Sequence, residues 1–74
     1  MDSQMPSIND FSTKVKSLRV ELKLSQDDLA KALGVSFATV NRWENARTQP
    51  SKLAQKQVEM FIALQQQQGA LKNE

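Results

Sequence analysis

The stretch Gln26–Asn45, which reads QDDLAKALGVSFATVNRWEN, decides the fold. Its pattern predicts two short helices joined by a three-residue turn, Gly34-Val35-Ser36. Gly34 permits a tight reversal because glycine adopts a left-handed backbone without steric cost. Ala30 is small where the two helices must cross closely. The apolar positions that would pack this pair are Leu29, Leu33, Val35, Val40 and Trp43. We therefore expect the two helices to fold as one unit.

The residues before this stretch predict a first helix. Apolar residues recur there at steps of three and four, which places them on one helix face: Ile8, Phe11, Val15, Leu18 and Leu22. We expect this helix to begin near Asn9 or Asp10 and to end near Lys23, where a cation suits the helix dipole. Ser25 and Ser36 are the predicted N-caps of the two helices that follow.

A last helix is predicted after the loop 46–49. Pro50 interrupts the chain there, and Ser51 is a suitable N-cap. The helix that follows has a broad apolar face formed by Leu53, Ala54, Val58, Phe61, Ile62 and Leu64. The run Gln65–Gln68 extends it by about one turn, and Gly69 ends it.

The composition is typical of one small all-α domain. The chain has 74 residues with two glycines and two prolines, and it is rich in helix-forming residues. We predict a compact bundle of four to five helices, a single domain over residues 1–74 with frayed ends at 1–8 and 69–74. Histidine and cysteine are absent, which excludes a thiol nucleophile, a disulfide and a Cys/His zinc site. We expect no cofactor, no metal and no membrane span.

The charge is distributed unevenly along the chain. Ten Lys and Arg against eight Asp and Glu give a formal net charge of +2. Residues 1–36 hold five of each sign, residues 57–74 carry −1, and residues 37–56 carry +3. The charged residues of segment 37–56 are Arg42, Arg47, Lys52, Lys56 and Glu44. The excess coincides with the second short helix and the chain behind it, which favours a polyanionic partner such as DNA.

The segment Leu18–Ser51, LRVELKLSQDDLAKALGVSFATVNRWENARTQPS, resembles the phage repressor and Cro type of helix-turn-helix DNA-binding domain, the xenobiotic-response-element-like family. With the flanking core helices, the resemblance covers most of the chain. It implies a helix-turn-helix motif at residues 26–45 that docks on double-stranded DNA. The helix at 37–45 would then lie in the major groove.

The resemblance also implies roles for single residues. The positions that face base edges are occupied here by Ser36, Phe37, Ala38, Asn41 and Arg42. The positions that contact the DNA backbone are occupied by Gln26, Asn45, Arg47 and Thr48. The position of Gln26 also helps to orient the recognition helix in that family. Arg19 and Glu44 match a structural ion pair. Ala46 departs from the family, which usually has glycine there, and this implies either a slightly longer helix or a strained backbone.

The side-chain chemistry of this set suits DNA. The guanidinium of Arg42 can donate two hydrogen bonds to guanine, and the amide of Asn41 could read adenine or reach a phosphate. Phe37 and Ala38 cannot hydrogen-bond to bases but can pack on a thymine methyl, which predicts A·T pairs near the start of this helix.

Several of these residues also have a plainer interpretation. Trp43 is typical of a core residue, and Gln26 could simply be an exposed helix start. Arg42 and Arg47 could be solvated surface cations. Phe37 could pack under the neighbouring helix or contact a protein partner.

The leading interpretation is a non-enzymatic regulator, a repressor that occupies an operator at the nucleoid, in the cytoplasm of a bacterium or phage-infected cell. A homodimer on a palindromic operator could form through Met60, Phe61 and Leu64, unless the core uses those side chains fully. One alternative is a protein-interaction module such as an antitoxin, and another is the DNA-targeting part of a larger protein. An enzyme is disfavoured because His, Cys and Tyr are absent.

Overall fold

The computed structural model describes residues 8–71, and this part of the chain folds into four helices. They are α1 (Ile8–Glu21), α2 (Gln26–Leu33), α3 (Phe37–Glu44) and α4 (Lys52–Gln67). Helices α2 and α3 pack on each other, α1 packs on α3, and α4 closes against α1 and α2. The predicted all-α bundle is confirmed. Of the residues predicted to fray at the two ends, 1–7 and 72–74 lie outside the described residues, and Ile8 is the first residue of α1.

The core lies where the apolar faces of the four helices meet. Every helix contributes to its fully buried side chains: Phe11, Val15, Leu29, Val40 and Val58. The rings of Phe11 and Trp43 meet edge to face, with centroids 5.4 Å apart and planes at 84°, which is a favoured aromatic geometry. Trp43 therefore joins α3 to α1 as a core residue, in agreement with its plainer interpretation.

Serine caps begin three of the helices, as the sequence predicts. The hydroxyls of Ser25, Ser36 and Ser51 each accept a hydrogen bond of 3.0–3.1 Å from the backbone N–H three residues further on. At α2 the cap is reciprocal, because the carboxylate of Asp28 accepts from the backbone N–H of Ser25. These caps satisfy donors that a helix start otherwise leaves open.

All four helices end in the same backbone closure. One or two residues past each end, the backbone is left-handed: Lys23 (φ 59°), Gly34 (φ 77°), Ala46 (φ 53°) and Gly69 (φ 80°). The N–H of that residue and the next N–H bond back to carbonyls of the last turn, which is the Schellman motif. Helix α1 starts one residue before the predicted Asn9. It ends at Glu21 rather than near Lys23, because Lys23 donates to the Val20 carbonyl at 3.0 Å and closes the helix early.

Residues 69–71 fold back on the core instead of fraying. The backbone N–H of Ala70 donates to the carbonyl of Gln65 at 2.9 Å, and the side chain of Leu71 is buried. The frayed end predicted from residue 69 is therefore wrong for these three residues, because burial of Leu71 holds them in place. Helix α4 ends at Gln67 with Gln68 as its C-cap, and Gly69, the predicted terminator, has the left-handed backbone just beyond.

Candidate nucleic-acid interface

Helix α3 has one buried face and one open face. Val40, Trp43 and Glu44 are buried against α1 and α2. The opposite face presents the exposed side chains of Phe37, Ala38, Arg42 and Asn45, with Asn41 half-buried among them. Positions 37, 38, 41, 42 and 45 share a face because α-helical neighbours lie three and four residues apart. The structure thus brings the predicted base-reading residues of α3 together on one open surface.

The turn before α3 is set by two small residues. Gly34 has nothing within 4 Å of the place where a Cβ would stand, so glycine is favoured there by its positive φ and not by crowding. Ser36 caps α3, and its hydroxyl also lies 2.9 Å from that of Thr39. The Ser36 hydroxyl, predicted to face bases, is therefore engaged in holding the first turn of α3.

The open face begins with an exposed aromatic ring. Phe37 is 51% exposed at the first position of α3, so it does not pack under a neighbouring helix. Together with the methyl of Ala38 it makes the start of the helix apolar, and Arg42 adds a cation one turn further on.

For the loop after α3, the sequence predicts either a longer helix or a strained backbone at Ala46, and the structure has the strained backbone. Asn45 caps the helix, and Ala46 takes a left-handed backbone with φ 53°. The N–H of Ala46 donates to the carbonyl of Trp43, and that of Arg47 donates to the carbonyl of Arg42, both at 3.1 Å. The side chains of Arg47 and Thr48 are exposed directly after this closure.

Replacing Ala46 by glycine should stabilise the protein. A left-handed backbone costs an L-residue about 1–2 kcal/mol, and the added chain entropy of glycine offsets about half of that. We expect the melting temperature to rise by a few degrees in a thermal unfolding scan. Ala38→Gly is the matched control within helix α3 and should lower stability by about 1 kcal/mol. If both variants lower the melting temperature, the strain at residue 46 is refuted.

Arg19 and Glu44 form an ion pair that links α1 to α3. The Nε of Arg19 donates to Oε2 of Glu44 at 2.6 Å, and its Nη2 donates to Oε1 at 2.9 Å. The remaining guanidinium nitrogen, Nη1, donates to the carbonyl of Leu24 at 3.2 Å. The side chain of Glu44 is only 3% exposed and that of Arg19 is 21% exposed. This pair fixes the axis of α3 relative to the rest of the bundle.

The pKa of Glu44 reflects two opposing causes. Burial raises it, but hydrogen bonds from Arg19 and then Gln26 hold the pKa of this carboxyl below its ordinary value of 4.5. The same hydrogen bonding raises the pKa of Arg19. Because the pKa of Glu44 is lower in the folded state, its contribution to stability is present above about pH 4.5. That contribution is lost as the pH falls through the folded value.

A line of amide side chains connects Glu44 to the open face of α3. Gln26 Nε2 donates to Glu44 Oε1 at 3.1 Å, and Asn41 Nδ2 donates to Gln26 Oε1 at 3.0 Å. Asn45 Nδ2 donates in turn to Asn41 Oδ1 at 3.0 Å. We call the four residues Glu44, Gln26, Asn41 and Asn45 the amide relay. The sequence assigned Gln26 to a phosphate, and the structure places its amide between α2 and α3.

Two further polar side chains support the motif and were missed from the sequence. Ser12 Oγ donates to the backbone carbonyl of Glu44 at 2.7 Å in a buried position. Gln57 Nε2 donates to the carbonyl of Leu33 at 3.0 Å. Both satisfy carbonyls that a helix end leaves open. Nothing in the spacing identifies them, because each partner lies more than 20 residues away along the chain.

Four cations of residues 37–56 remain exposed. Arg42, Arg47, Lys52 and Lys56 all have exposed side chains. The one anion of residues 37–56, Glu44, is buried and paired with Arg19. Within this segment, the surface therefore carries four cations and no compensating carboxylate. Among residues 8–71, no acidic cluster could hold a metal ion, and no helix is long and apolar enough to cross a membrane.

Comparison with known proteins identifies a helix-turn-helix family model and related regulators that match this chain. The family model described as Helix-turn-helix matches residues 15–54, which is more than half of the chain. The chain is 39% identical over 51 residues to proteins described as "Uncharacterized HTH-type transcriptional regulator YiaG" in Escherichia coli strains K12 and O157:H7. The match covers 69% of this chain and 53% of each relative, so the chain spans about half the length of the curated relatives it matches. No solved structure matches significantly.

Proposed function

The chain belongs to the helix-turn-helix family of the Cro/C1 type, and on that premise we propose that it is a sequence-specific, double-stranded-DNA-binding repressor. The observation that carries this proposal is the open face of α3, held rigidly from behind by Trp43 and Glu44. The activity is binding and not catalysis. The protein binds an operator in nucleoid DNA, in the cytoplasm of a bacterium or phage-infected cell.

The recognition step follows from the chemistry of this face. With α3 in the major groove, Arg42 donates to O6 and N7 of a guanine. Phe37 and Ala38 pack on thymine methyl groups near the start of the helix. The hydroxyl of Ser36 is already hydrogen-bonded as the N-cap of α3, so it contacts a base only through its remaining hydrogen-bonding capacity.

The backbone contacts follow from the residues that flank α3. Asn45, Arg47 and Thr48 lie at its end with exposed side chains, in reach of the phosphates that border the groove. These contacts supply affinity and orientation without sequence information. Base recognition is left to the side chains of α3.

The test begins with selection of bound sequences from a random duplex pool. Arg42→Ala should then weaken binding to the selected site by about 1–3 kcal/mol and relax the preference for one guanine. Lys14→Ala, which removes an exposed cation of α1, is the matched control and should leave the preference intact. If Arg42→Ala keeps the same site preference, Arg42 does not read bases.

A homodimer is the form in which we propose the protein acts. Helix α4 carries exposed Leu53, Met60 and Leu64 on one side, and Met60 and Leu64 border a groove of about 540 Å³ with Phe61. The Cα atoms span 31 × 29 × 18 Å, close to the 34–36 Å between half-sites one turn apart. Two copies on such half-sites would touch, so a second copy is the proposed occupant of this groove.

Met60→Glu tests the homodimer. It should abolish cooperative binding to a two-half-site duplex and leave single half-site binding unchanged, since a charge is excluded from an apolar contact. Val20→Glu, at another exposed apolar residue on α1, is the matched control. If Met60→Glu changes neither cooperativity nor sedimentation, the homodimer is refuted. A different protein, as in an antitoxin, would then be the candidate for the groove.

A further inference from the structure

The amide relay has a direction. Each of its hydrogen bonds is donated toward the core: Asn45 donates to Asn41, Asn41 to Gln26, and Gln26 to Glu44. A carboxylate accepts hydrogen bonds and cannot donate them. Because Glu44 is ionised and buried beside Arg19, it sets the direction for the whole line.

This direction fixes which end of each amide points where. Gln26 must turn its nitrogen toward Glu44, and its oxygen therefore faces Asn41. Asn41 must then present its nitrogen to Gln26, and its oxygen accepts from Asn45. Turning over the amide of Gln26 would place its oxygen against the Glu44 carboxylate, and turning over that of Asn41 would place its oxygen against the oxygen of Gln26. Neither arrangement forms a hydrogen bond.

The relay leaves Asn41 with a defined residual capacity. Its amide has two N–H donors and an oxygen with two lone pairs, and the relay uses one donor and one lone pair. One donor and one acceptor remain on the half-buried side chain at the open face of α3. In the major groove, adenine alone presents a neighbouring acceptor and donor, N7 and N6, to such a pair.

On the basis of the proposed DNA-binding function, we infer that Glu44 and Gln26 are positioning residues that commit Asn41 to reading an adenine. Gln26 accordingly acts on specificity through Asn41, and its main role is not a phosphate contact. The buried Glu44 has a second role besides its ion pair, because through Gln26 it determines the orientation of Asn41, which lies beside it on the open face of α3.

Gln26→Met tests this inference, because methionine keeps the length of the side chain and removes both hydrogen bonds. Asn41→Ala first identifies the base pair whose adenine preference depends on Asn41. Gln26→Met should then reduce discrimination for adenine at that same pair by at least about fivefold, the lower end of what a bidentate contact supplies. Gln57→Met, at another half-buried glutamine with one hydrogen bond, is the matched control and should leave this preference unchanged.

The free protein gives a readout that needs no DNA. In an amide NMR spectrum, Gln26→Met should shift the side-chain NH₂ signals of Asn41, whereas Gln57→Met should leave them in place. The inference is overturned if those signals stay unchanged, or if Gln26→Met weakens binding to all duplexes equally, as loss of a phosphate contact would. It is also overturned if Asn41→Ala affects no adenine. If the wild-type chain binds no duplex at all, the proposed function itself fails, which is a separate result.

Discussion

Replacing Arg19 by methionine is expected to lower the free energy of unfolding by about 3–5 kcal/mol. The variant leaves the carboxylate of Glu44, 3% exposed, with Gln26 and the weaker electrostatic effect of Lys16 but without its ion-pair partner. Small domains are stable by only about 5–15 kcal/mol, so urea or thermal unfolding will register a large part of the total. Lys14→Met removes an exposed cation of the same helix and should change stability by less than about 0.5 kcal/mol.

The cost of Arg19→Met should depend on pH. In the wild type, the stabilisation from Glu44 is lost as the pH falls below about 4.5, because the folded pKa is lowered. In the variant, burial without the guanidinium raises that pKa, so acid relieves the buried charge. The difference between the two proteins should therefore shrink as the pH falls. An additional Glu44→Leu change should recover part of the loss. A cost that is independent of pH would contradict this account.

Raising the salt concentration is expected to weaken DNA binding by up to about fortyfold per copy between 50 and 200 mM. Each neutralised phosphate contributes about 0.9 to the slope of log affinity against log salt. Because Arg42 is assigned to a base, the exposed cations Arg47, Lys52 and Lys56 set an upper limit of three such contacts in this segment. Fluorescence anisotropy with a labelled duplex at several salt concentrations measures the slope.

Single variants separate the phosphate contacts from the base contacts. Arg47→Gln should reduce the salt slope by about 1 and weaken all sequences alike. Lys14→Gln should leave the slope unchanged, since this cation lies on α1. An equal effect of the two variants would mean that general surface charge, and not the end of α3, meets the DNA.

Much of the fold follows from local sequence. The N-caps at Ser25, Ser36 and Ser51 are predictable because capping depends on residues within one turn. The turn at Gly34 is predictable for the same reason, since its left-handed backbone selects glycine. Lys23 has a left-handed backbone as well, but lysine has no preference for that conformation. The sequence therefore does not indicate the closure there, and the predicted end of α1 is two residues too late.

The finer organisation of the site depends on contacts between distant residues. Spacing along the chain placed residues 37, 38, 41 and 42 on one face of α3, but it could not place Gln26 between Glu44 and Asn41. That arrangement needs the crossing geometry of α2 and α3, which only the folded structure supplies. Burial of Leu71 likewise depends on where α4 ends relative to the core. Family resemblance suggested the Arg19–Glu44 pair, and the structure adds the amide relay that continues from it.

The central claim is that the open face of α3 enters DNA, and an NMR titration tests it most directly. Uniformly ¹⁵N-labelled protein would be titrated with the selected duplex at low salt. The account predicts that the largest amide shifts fall in Ser36–Asn45 and at Arg47 and Thr48, with the exposed side of α1 unchanged. No shift with any duplex at low salt, or shifts centred on α1, would contradict it.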